Sequence, residues 1–358
     1  MASAINISKI TSNPLEVQSM GEFIVERSFG DKVLNSIHAV WTGVKMKQQI
    51  GFASRLGHTG ILDSGCARPS TGAKVVFSEK YTEPVKIGDT IIHCQAEVSS
   101  LFKAYGLTIQ RYVDLYDISG SELEVFFTVM LSEAVMETVW RLVWCGDKGT
   151  VAAGAAQAGV AVAGNARLYT PMDGIFAQIF DGVTAGDIPY VEISQNNEAT
   201  IAAQTTLPEG FTNQLLEDMW AKADSRLRSD PNKMFLVTRE LFENQRQYLT
   251  KNSLNFTIEV SQEGLQTIKW GAIPVINMED QWRFLREHFV DNTTNKAFWL
   301  ANRAILTVPA NIPVMTLNED DMTEIKVWYN EDDRVSKAAY GFTIDAKLLE
   351  EYMVVAAY

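Results

Sequence analysis

Cysteine and histidine are scarce in this chain of 358 residues, which has three of the first and four of the second. Cys66, Cys94 and Cys145 are odd in number and widely spaced, so they provide neither a disulfide framework nor a paired metal-thiolate motif. This pattern predicts unpaired thiols in a reducing compartment. Membrane-spanning and signal-like apolar runs are also missing. We therefore expect a protein that is neither secreted nor embedded in a membrane.

An excess of positive charge is missing too. The chain carries 31 Lys and Arg against 44 Asp and Glu, a formal net charge of -13. A surface that grips nucleic-acid phosphates needs clustered basic residues, so this composition argues against a nucleic-acid-binding role. With 46% hydrophobic and 21% charged residues, the chain is typical of a folded protein of two or three domains.

Motifs for catalysis or ligand binding do not occur. The histidines, none of which belongs to a His-Glu-x-x-His pattern, are His38, His58, His93 and His288. Gly154 and Gly159 have the spacing of a phosphate-binding loop, but Val160 and Ala161 replace the residues that would contact phosphate and magnesium. No Gly-x-Ser-x-Gly elbow occurs. The sequence predicts no catalytic, cofactor-binding or metal-binding residue, no cofactor, and therefore no enzyme.

One acidic tetrapeptide occurs twice, as Asn-Glu-Asp-Asp at residues 318–321 and 330–333. Loop carboxylates can bind calcium, but a common calcium loop needs alternating oxygen ligands around a glycine, which neither copy has. We interpret the two copies as solvated turns on either side of a strand. A cation site at a subunit junction is the alternative.

The clearest helix is predicted over residues 121–146. Ser121 precedes Glu124 by three residues, a pattern that caps a helix start, and Gly146 is a typical stop. The run of about 24 residues between them would measure roughly 36 Å. Its apolar residues form two stripes, so we expect the helix to be covered on two sides, with Trp140 and Trp144 inside the chain.

The segments on either side of this helix are less regular. Apolar spacing predicts a helix over residues 21–41, and the glycine-rich stretch 51–88 contains strand-like pieces at 74–77 and 90–94. We interpret that stretch as an extended two-stranded loop, which is marginal alone in water and needs a partner surface. After the helix, residues 150–164 are small and nearly uncharged, which indicates a linker at a domain boundary.

The second half mixes helices and strands without a regular repeat, which is typical of an α+β fold. Helices are predicted at 173–180, 215–227, 238–248 and 281–289, the third of them capped by Thr238. Strands are predicted at 234–237, 256–260, 265–270, 304–308, 324–329 and 340–344, with a turn at Glu263-Gly264.

This order of elements resembles one family, the major capsid proteins of tailed double-stranded DNA bacteriophages of the Hong Kong 97 type. Gly146-Asp147-Lys148-Gly149-Thr150 stands where the family has its glycine-rich exit from a long spine helix. Trp270-Gly271-Ala272-Ile273-Pro274-Val275 resembles the family's aromatic-Gly-x-Pro-Val strand. The resemblance extends over most of the chain, because arm, loop, spine helix, crossover and mixed domain follow in the family's order.

The resemblance implies a Hong Kong 97-like fold with an N-terminal arm (1–50), an extended loop (51–95), a peripheral domain with the spine helix (96–149), an axial domain (150–330) and a return to the peripheral domain (331–358). It implies a structural subunit that assembles with itself into hexamers and pentamers of an icosahedral shell around double-stranded DNA. Portal, scaffold and decoration proteins become expected partners, the packaged DNA is bound without sequence specificity, and no membrane is involved. The location would be the virion, after assembly in the bacterial cytoplasm.

Other functions and departures from the family remain open at this point. An encapsulin-type nanocompartment would have the same fold, and a soluble hydrolase represents another class. The charged helical scaffolding segment of some family members is not visible before Gly51, so a separate scaffold or none is expected. The loop lysines Lys74, Lys80 and Lys86 have no assignable asparagine partner, so no isopeptide site is predicted. Residues 185–205 and 291–296 are the candidate axial contact loops.

Overall fold

A computed structural model of the chain describes residues 32–45, 47–53, 77–94, 122–151, 166–252, 258–260, 265–289, 298–317, 326–330 and 335–358. The α-helices of these residues are α1 (Lys32–Ile37), α2 (Glu122–Cys145), α3 (Ile175–Ala185), α4 (Ile201–Thr205), α5 (Phe211–Lys222), α6 (Ser225–Ser229), α7 (Arg239–Lys251) and α8 (Phe284–Glu287). The strands are β1 (Val40–Trp41), β2 (Gln49–Ala53), β3 (Phe77–Tyr81), β4 (Val85–Cys94), β5 (Tyr190–Val191), β6 (Met234–Val237), β7 (Glu259–Val260), β8 (Gln266–Trp270), β9 (Ile273–Asn277), β10 (Ala304–Thr307), β11 (Val314–Met315), β12 (Lys326–Asn330), β13 (Val335–Ala346) and β14 (Val355–Ala357).

The larger sheet has seven strands in the order β5-β14-β10-β6-β9-β8-β7. Strands β6 and β10 lie at its centre, and every residue of both is buried, as their continuous apolar sequences require. The pairs β6–β9 and β5–β14 are parallel and the other four pairs are antiparallel. The prediction of mixed helices and strands is confirmed, whereas β5 and β14 were not predicted.

The second sheet follows the order β1-β11-β13-β12, with β4 also paired to β13. The register runs from Val335 opposite Cys94 to Ile344 opposite Val85, so β4 pairs with β13 over its whole length. The prediction that the strands near 74–77 and 90–94 form one two-stranded unit is therefore wrong. Instead, β3 pairs with β2 in a separate antiparallel hairpin.

Helix α2 has 24 residues, which confirms the long helix predicted from the sequence. Trp144 is fully buried and Trp140 is 7% exposed, so both lie inside the chain as expected. The ring of Trp144 lies 5.1 Å from that of Trp282 and 5.3 Å from that of Phe176. Such tilted and edge-on aromatic contacts add to the stabilisation that area burial provides. Ser121, the predicted cap, lies outside the described residues.

The exit from α2 depends on a close backbone contact between two glycines. The amide of Gly174 donates to the carbonyl of Gly146 over 2.9 Å. A Cβ atom on Gly146 would stand 2.6 Å from the carbonyl oxygens of both Leu142 and Met172, so no larger residue fits. Gly146 is not among the glycines with positive φ. It is required for this close approach rather than for the left-handed conformation that many helix ends adopt.

The chain before α2 differs from the predicted helix over 21–41. Helix α1 ends at Ile37, and residues 40–41 form β1, which pairs in parallel with β11. The Ala39 amide donates to the Pro309 carbonyl over 3.2 Å, and the Ala39 carbonyl accepts from the Val314 amide over 2.9 Å. These tertiary hydrogen bonds take the backbone groups that a longer helix would use.

Two helix starts also differ from the sequence prediction. The single helix predicted at 215–227 is divided into α5 and α6, because the Asp224 carboxylate accepts from the Arg226 amide over 2.8 Å and begins a new helix. Thr238 precedes α7 but does not cap it. Its hydroxyl instead accepts from the Arg303 amide over 3.3 Å and links α7 to β10.

The remaining predicted elements differ from the structure in their bounds, and some are longer and others shorter than predicted. The helices predicted at 173–180 and 281–289 are α3 and α8, and the predicted strands at 324–329 and 340–344 are β12 and β13. Several predicted features lie outside the described residues: most of the linker at 150–164, the turn at Glu263-Gly264, the loop at 291–296, and both acidic tetrapeptides except Asn330. In the described part of the chain, no helix has the length and apolar composition needed to cross a membrane.

The buried tryptophan face of α2 generates a stability prediction. Truncating Trp144 to alanine should lower the free energy of unfolding by about 3–5 kcal/mol, because a large ring is lost from a packed core. The Trp140→Ala variant should have a similar, slightly smaller cost. Chemical denaturation followed by circular dichroism measures both. Leu168→Ala is the control, since that leucine is 37% exposed. Folded, fully stable variants would place this face at an interface instead.

Candidate assembly surfaces

The hairpin β2–β3 is joined to the body at its base through Thr82, which is buried. The Thr82 hydroxyl donates to the Lys45 carbonyl over 2.8 Å and accepts from the Gln48 amide over 3.0 Å. The Lys47 amide donates to the Thr82 carbonyl over 2.8 Å, with Lys47 in the left-handed region at φ 58°. These bonds fix the direction in which the two strands leave the body.

Two further contacts hold the hairpin base against the end of the chain. The Lys80 ammonium lies 2.5 Å from the Glu351 carboxylate and donates to the Leu348 carbonyl over 2.8 Å. The Glu83 amide donates to the buried Asp345 carboxylate over 2.7 Å. Lys80, one of three loop lysines considered for covalent linkage, is therefore paired within its own chain.

The described residues near this base are open to solvent. Tyr81 is 46% exposed, and Gln49, Gly51 and Glu79 are exposed as well. Within the described residues β2 and β3 pair only with each other. An isolated two-stranded sheet has little intrinsic stability in water, so a surface outside this chain segment is needed to support it.

A second surface is built on a cluster of buried side-chain amides, Asn196, Gln204 and Asn302, which we call the amide clamp. The Asn196 side chain donates to the Asn302 carbonyl over 2.8 Å and accepts from the Asn302 amide over 2.9 Å. The Gln204 side chain donates to the Asn196 and Phe298 carbonyls and accepts from the Phe298 amide, each over 2.9 Å. These hydrogen bonds join the 194–205 segment to residues 298–302, and the Oδ1 atom of Asn302 is buried without a hydrogen-bond partner among the described residues.

The outer side of the clamped segment faces away from the body. Residues 197–202 are all exposed, and Ile201 among them exposes 36% of its surface. Thr200 caps α4 by accepting from the Ala203 amide over 3.3 Å. The predicted contact loop 185–205 therefore contains a short helix that was not predicted from the sequence. This helix presents the apolar side chain of Ile201 at the surface.

Arg303, which is buried, follows the clamp residue Asn302 in the sequence. Its guanidinium stands 4.4 Å from the centre of the Phe176 ring and donates to the Leu300 carbonyl over 3.0 Å. Burial lowers the pKa of Arg303 to about 10, so the side chain stays positively charged at neutral pH. Cation–π and carbonyl contacts replace part of the hydration that this cation loses. No motif in the sequence marks this arginine or the clamp amides.

Charges at the exit of α2 make the junction sensitive to pH. Burial, followed by the nearby Asp173 and Asp181, raises the pKa of Asp147 from 3.8 to about 6. The folded chain therefore binds this proton more tightly than the unfolded chain does. Its contribution to stability is present below pH 4 and is lost as pH rises to about 6. The Lys148 ammonium, which bridges Glu83 at 3.2 Å and Asp173 at 3.6 Å, offsets part of this negative charge.

The described cysteine and histidine side chains are not arranged as a reactive site. Burial raises the pKa of the Cys145 thiol to about 12, so it is not a thiolate at neutral pH. His288 contacts the Tyr169 hydroxyl over 2.5 Å, and His38 is buried at another site in the fold. Among the described side chains, no group of three His, Cys, Asp or Glu residues could hold a metal ion.

No protein-family model matches the sequence, and no curated protein matches it. Three-dimensional similarity is extensive. A structure from Mycobacterium phage Ogopogo aligns over 99% of this chain and 99% of its own, at 10% identity and a TM-score of 0.54. One from Gordonia phage Cozz aligns over 100% and 90%, at 10% identity and a TM-score of 0.52. The procapsid of satellite phage P4 aligns over 94% and 96%, at 11% identity and a TM-score of 0.48.

The chain has the fold of phage capsid proteins. The structures from phages Ogopogo and Cozz align with nearly the whole chain, so the hairpin, the long helix and the mixed sheet belong to one shared fold. The resemblance first drawn from the order of sequence elements is confirmed at the level of fold. At 10% identity, the capsid fold is retained while most side chains differ.

The amide clamp generates a prediction about local order. Gln204→Ala removes a buried side chain that makes three hydrogen bonds, and it leaves the partner groups of those bonds unsatisfied. Each unsatisfied group lowers the stability of the folded state by about 1–3 kcal/mol at most. We expect faster hydrogen exchange confined to residues 194–205 and 298–302. Asn197→Ala is the matched control, because that amide is exposed and bonds only to the Glu192 side chain. Equal exchange in the two variants would contradict the prediction.

Proposed function

We propose that this protein is the structural subunit of an icosahedral phage capsid, which self-assembles into hexamers and pentamers around double-stranded DNA. The observation that carries the proposal is the capsid fold, shared with structures from two phages over at least 90% of each chain. The subunit works by presenting surfaces to copies of itself rather than by chemistry. Portal, scaffold and decoration proteins are expected further partners, and the virion is the expected location.

In this proposal the chain divides as the Hong Kong 97 type does: arm (1–50), extended loop (51–95), peripheral domain with spine helix (96–149), axial domain (150–330) and return (331–358). Helix α2 supports the spine assignment by its length. The two-stranded hairpin β2–β3 supports the loop assignment. The pairing of β4 with β13 means that residues 85–94 form the part of this loop region that belongs to the body sheet.

The exposed parts of the hairpin and the clamp segment fit this function physically. The hairpin is anchored at its base, and among the described residues its two strands pair only with each other, so a neighbouring subunit supplies the supporting surface. The clamp segment is rigid on its inner side and exposed on its outer side, which suits a contact that repeats around a ring. A closed ring needs two different contact patches on each copy. We assign the hairpin and the clamp segment as these two patches.

The negative charge of the chain also fits a DNA container. A net charge of -13 repels phosphate over most of the surface, so packed DNA would slide along the wall instead of adhering to it. DNA is then held by enclosure and not by specific contacts. This role requires no catalytic site.

An encapsulin-type shell and a soluble hydrolase are the alternative functions. Electron microscopy of the purified protein, together with nuclease digestion, separates the three. The proposal expects large closed shells, which enclose double-stranded DNA when recovered from phage-infected cells. Small shells that contain protein cargo would establish the encapsulin alternative, and discrete small oligomers would exclude both shell functions.

The extended loop generates an assembly prediction. Removing residues 56–90 would delete most of the strand β4, which the body sheet needs, so the change must be narrower. Replacing residues 54–76 with a four-residue Gly-Ser turn retains both hairpin strands. We expect a folded chain with unchanged circular dichroism that forms no shells on electron micrographs. A Gly-Ser segment of the original length is the control for chain length. Normal shells from the short variant would refute the assignment of this loop to an intersubunit contact.

The clamp segment generates a second assembly prediction. Ile201→Glu places a charge on the exposed apolar residue of α4, so burying it against a copy would require desolvating that charge. We expect unchanged thermal stability of the unassembled subunit and a loss of shells of at least tenfold by sedimentation. Ile201→Val is the conservative control and should assemble normally. Assembly of Ile201→Glu at wild-type yield would place this segment outside the subunit contacts.

A further inference from the structure

His38 follows α1 directly and is 1% exposed. Its Nδ1 lies 2.8 Å from the Ile312 carbonyl oxygen. Because a carbonyl only accepts, Nδ1 carries the proton and donates it, which leaves a lone pair on Nε2. Nε2 is buried and has no hydrogen-bond partner among the described residues. The site therefore holds a neutral imidazole and offers no acceptor for a second proton.

The surroundings of His38 are apolar. Its ring lies 5.2 Å from the Trp144 ring and 5.7 Å from the Trp140 ring, centre to centre. The segment that supplies the Ile312 carbonyl, residues 309–315, contains no titratable side chain. A positive charge formed here would be buried without a counterion, which is costly.

The charged groups of the elements around His38 have other partners. On α2, Glu137 pairs with Arg283 at 2.7 Å, and Arg141 donates to the Thr138 hydroxyl over 3.3 Å. In the groove that His38 itself lines, the Asp230 carboxylate accepts from the Asn232 amide over 2.8 Å, and the Lys233 ammonium donates to the Asp230 carbonyl over 2.8 Å. Neither Glu137 nor Asp230 forms a hydrogen bond with Nε2 of His38.

The segment that carries His38 is joined to residues 309–316 through one short stretch of backbone. Among the described residues, the two-residue strand β1 pairs with the two-residue strand β11 alone, and Ala39, Trp41 and Val44 add hydrogen bonds on either side of this pair. A groove of about 610 Å³ is lined by Asn35, Ser36 and His38, and also by Asp230, Asn232 and Lys233. The groove gives water a short path to the imidazole once the segment moves.

We propose that residues 32–44 form an acid-released latch, in which protonation of His38 detaches α1 and β1 from α2 and from residues 309–316. The proton is taken from solvent, and the imidazolium formed is hydrated through the groove. Release separates α1 and β1 from the body, while the seven-stranded sheet and the remaining strands of the second sheet stay folded. This inference concerns the isolated chain and does not depend on capsid assembly.

The sign of the effect follows from the burial of His38. Burial lowers the pKa of His38 from 6.5 to about 4, against a smaller opposite effect of the Ile312 hydrogen bond. The docked segment therefore excludes a proton that the released segment binds. Docking is fully stable above pH 6.5 and weakens as pH falls toward 4, by about a hundredfold in its equilibrium constant over that range.

Hydrogen exchange of the full chain between pH 7.5 and pH 4, corrected for intrinsic exchange rates, tests the latch. We expect protection of residues 33–44 to fall by about a hundredfold on acidification while β6 and β10 keep theirs. Between pH 6 and pH 4 the change should approach tenfold per pH unit, as uptake of one proton requires. Protection of residues 33–44 that does not change with pH, or a loss that extends equally to β6 and β10, would overturn the proposal.

Two variants assign the trigger. His38→Phe retains an aromatic ring without a titrating group, so residues 33–44 should keep the same protection at pH 4 and pH 7.5. His288→Phe, the matched control at a histidine outside the latch, should behave as wild type. If the pH dependence persists in His38→Phe or disappears in His288→Phe, His38 is not the trigger. If His38→Phe does not fold, the pH dependence of the protection of residues 33–44 in the wild-type chain still tests the latch, because it must correspond to the uptake of one proton.

Discussion

Burial of one face of α2 is the contact on which the rest of the described fold depends. Trp144 lies between His38 on one side and Phe176 and Trp282 on another, so a single ring contacts three segments that are far apart in sequence. His38 follows α1, Phe176 lies in α3 and Trp282 precedes α8. In a close-packed interior, the position of each segment is set by the shape of the same ring. The glycine contact at Gly146 then fixes where the chain leaves this core.

Polar groups inside the body set the position of an exposed surface. The amide clamp and Arg303 satisfy backbone carbonyls in the 298–302 region, and this arrangement leaves little freedom to the segment outside it. Hydrogen bonds between buried groups depend on distance and angle, so this network favours one geometry over near alternatives. A subunit that meets copies of itself benefits from this rigidity, because the entropy of ordering the contact residue has been lost before association.

The hairpin and the α1–β1 segment are attached differently from the clamp segment, because each is joined to the body through a short stretch of chain. The hairpin is anchored by neutral hydrogen bonds at Thr82 and by the ion pair of Lys80 with Glu351. The α1–β1 segment is anchored by apolar burial, by backbone hydrogen bonds to residues 309–316 and by the neutral side chain of His38. Partly exposed ion pairs lose little with moderate changes of pH, whereas a buried neutral histidine responds directly to acid. The two attachments therefore differ in the conditions under which they open.

The sequence alone determined what depends on local pattern. Apolar periodicity and end signals located α2, β6 and β8, the order of elements indicated the capsid fold, and the missing motifs argued against an enzyme, because these features are written within short stretches of chain. Only the tertiary structure decided pairing and polar burial. Residues 40–41 became a strand because β11 offered hydrogen bonds, β4 joined β13 instead of β3, and Thr238 bonded to Arg303 instead of capping α7. Isolated polar residues such as Gln204 and His38 carry no sequence signal, since their partners lie up to 274 positions away and are brought together by folding.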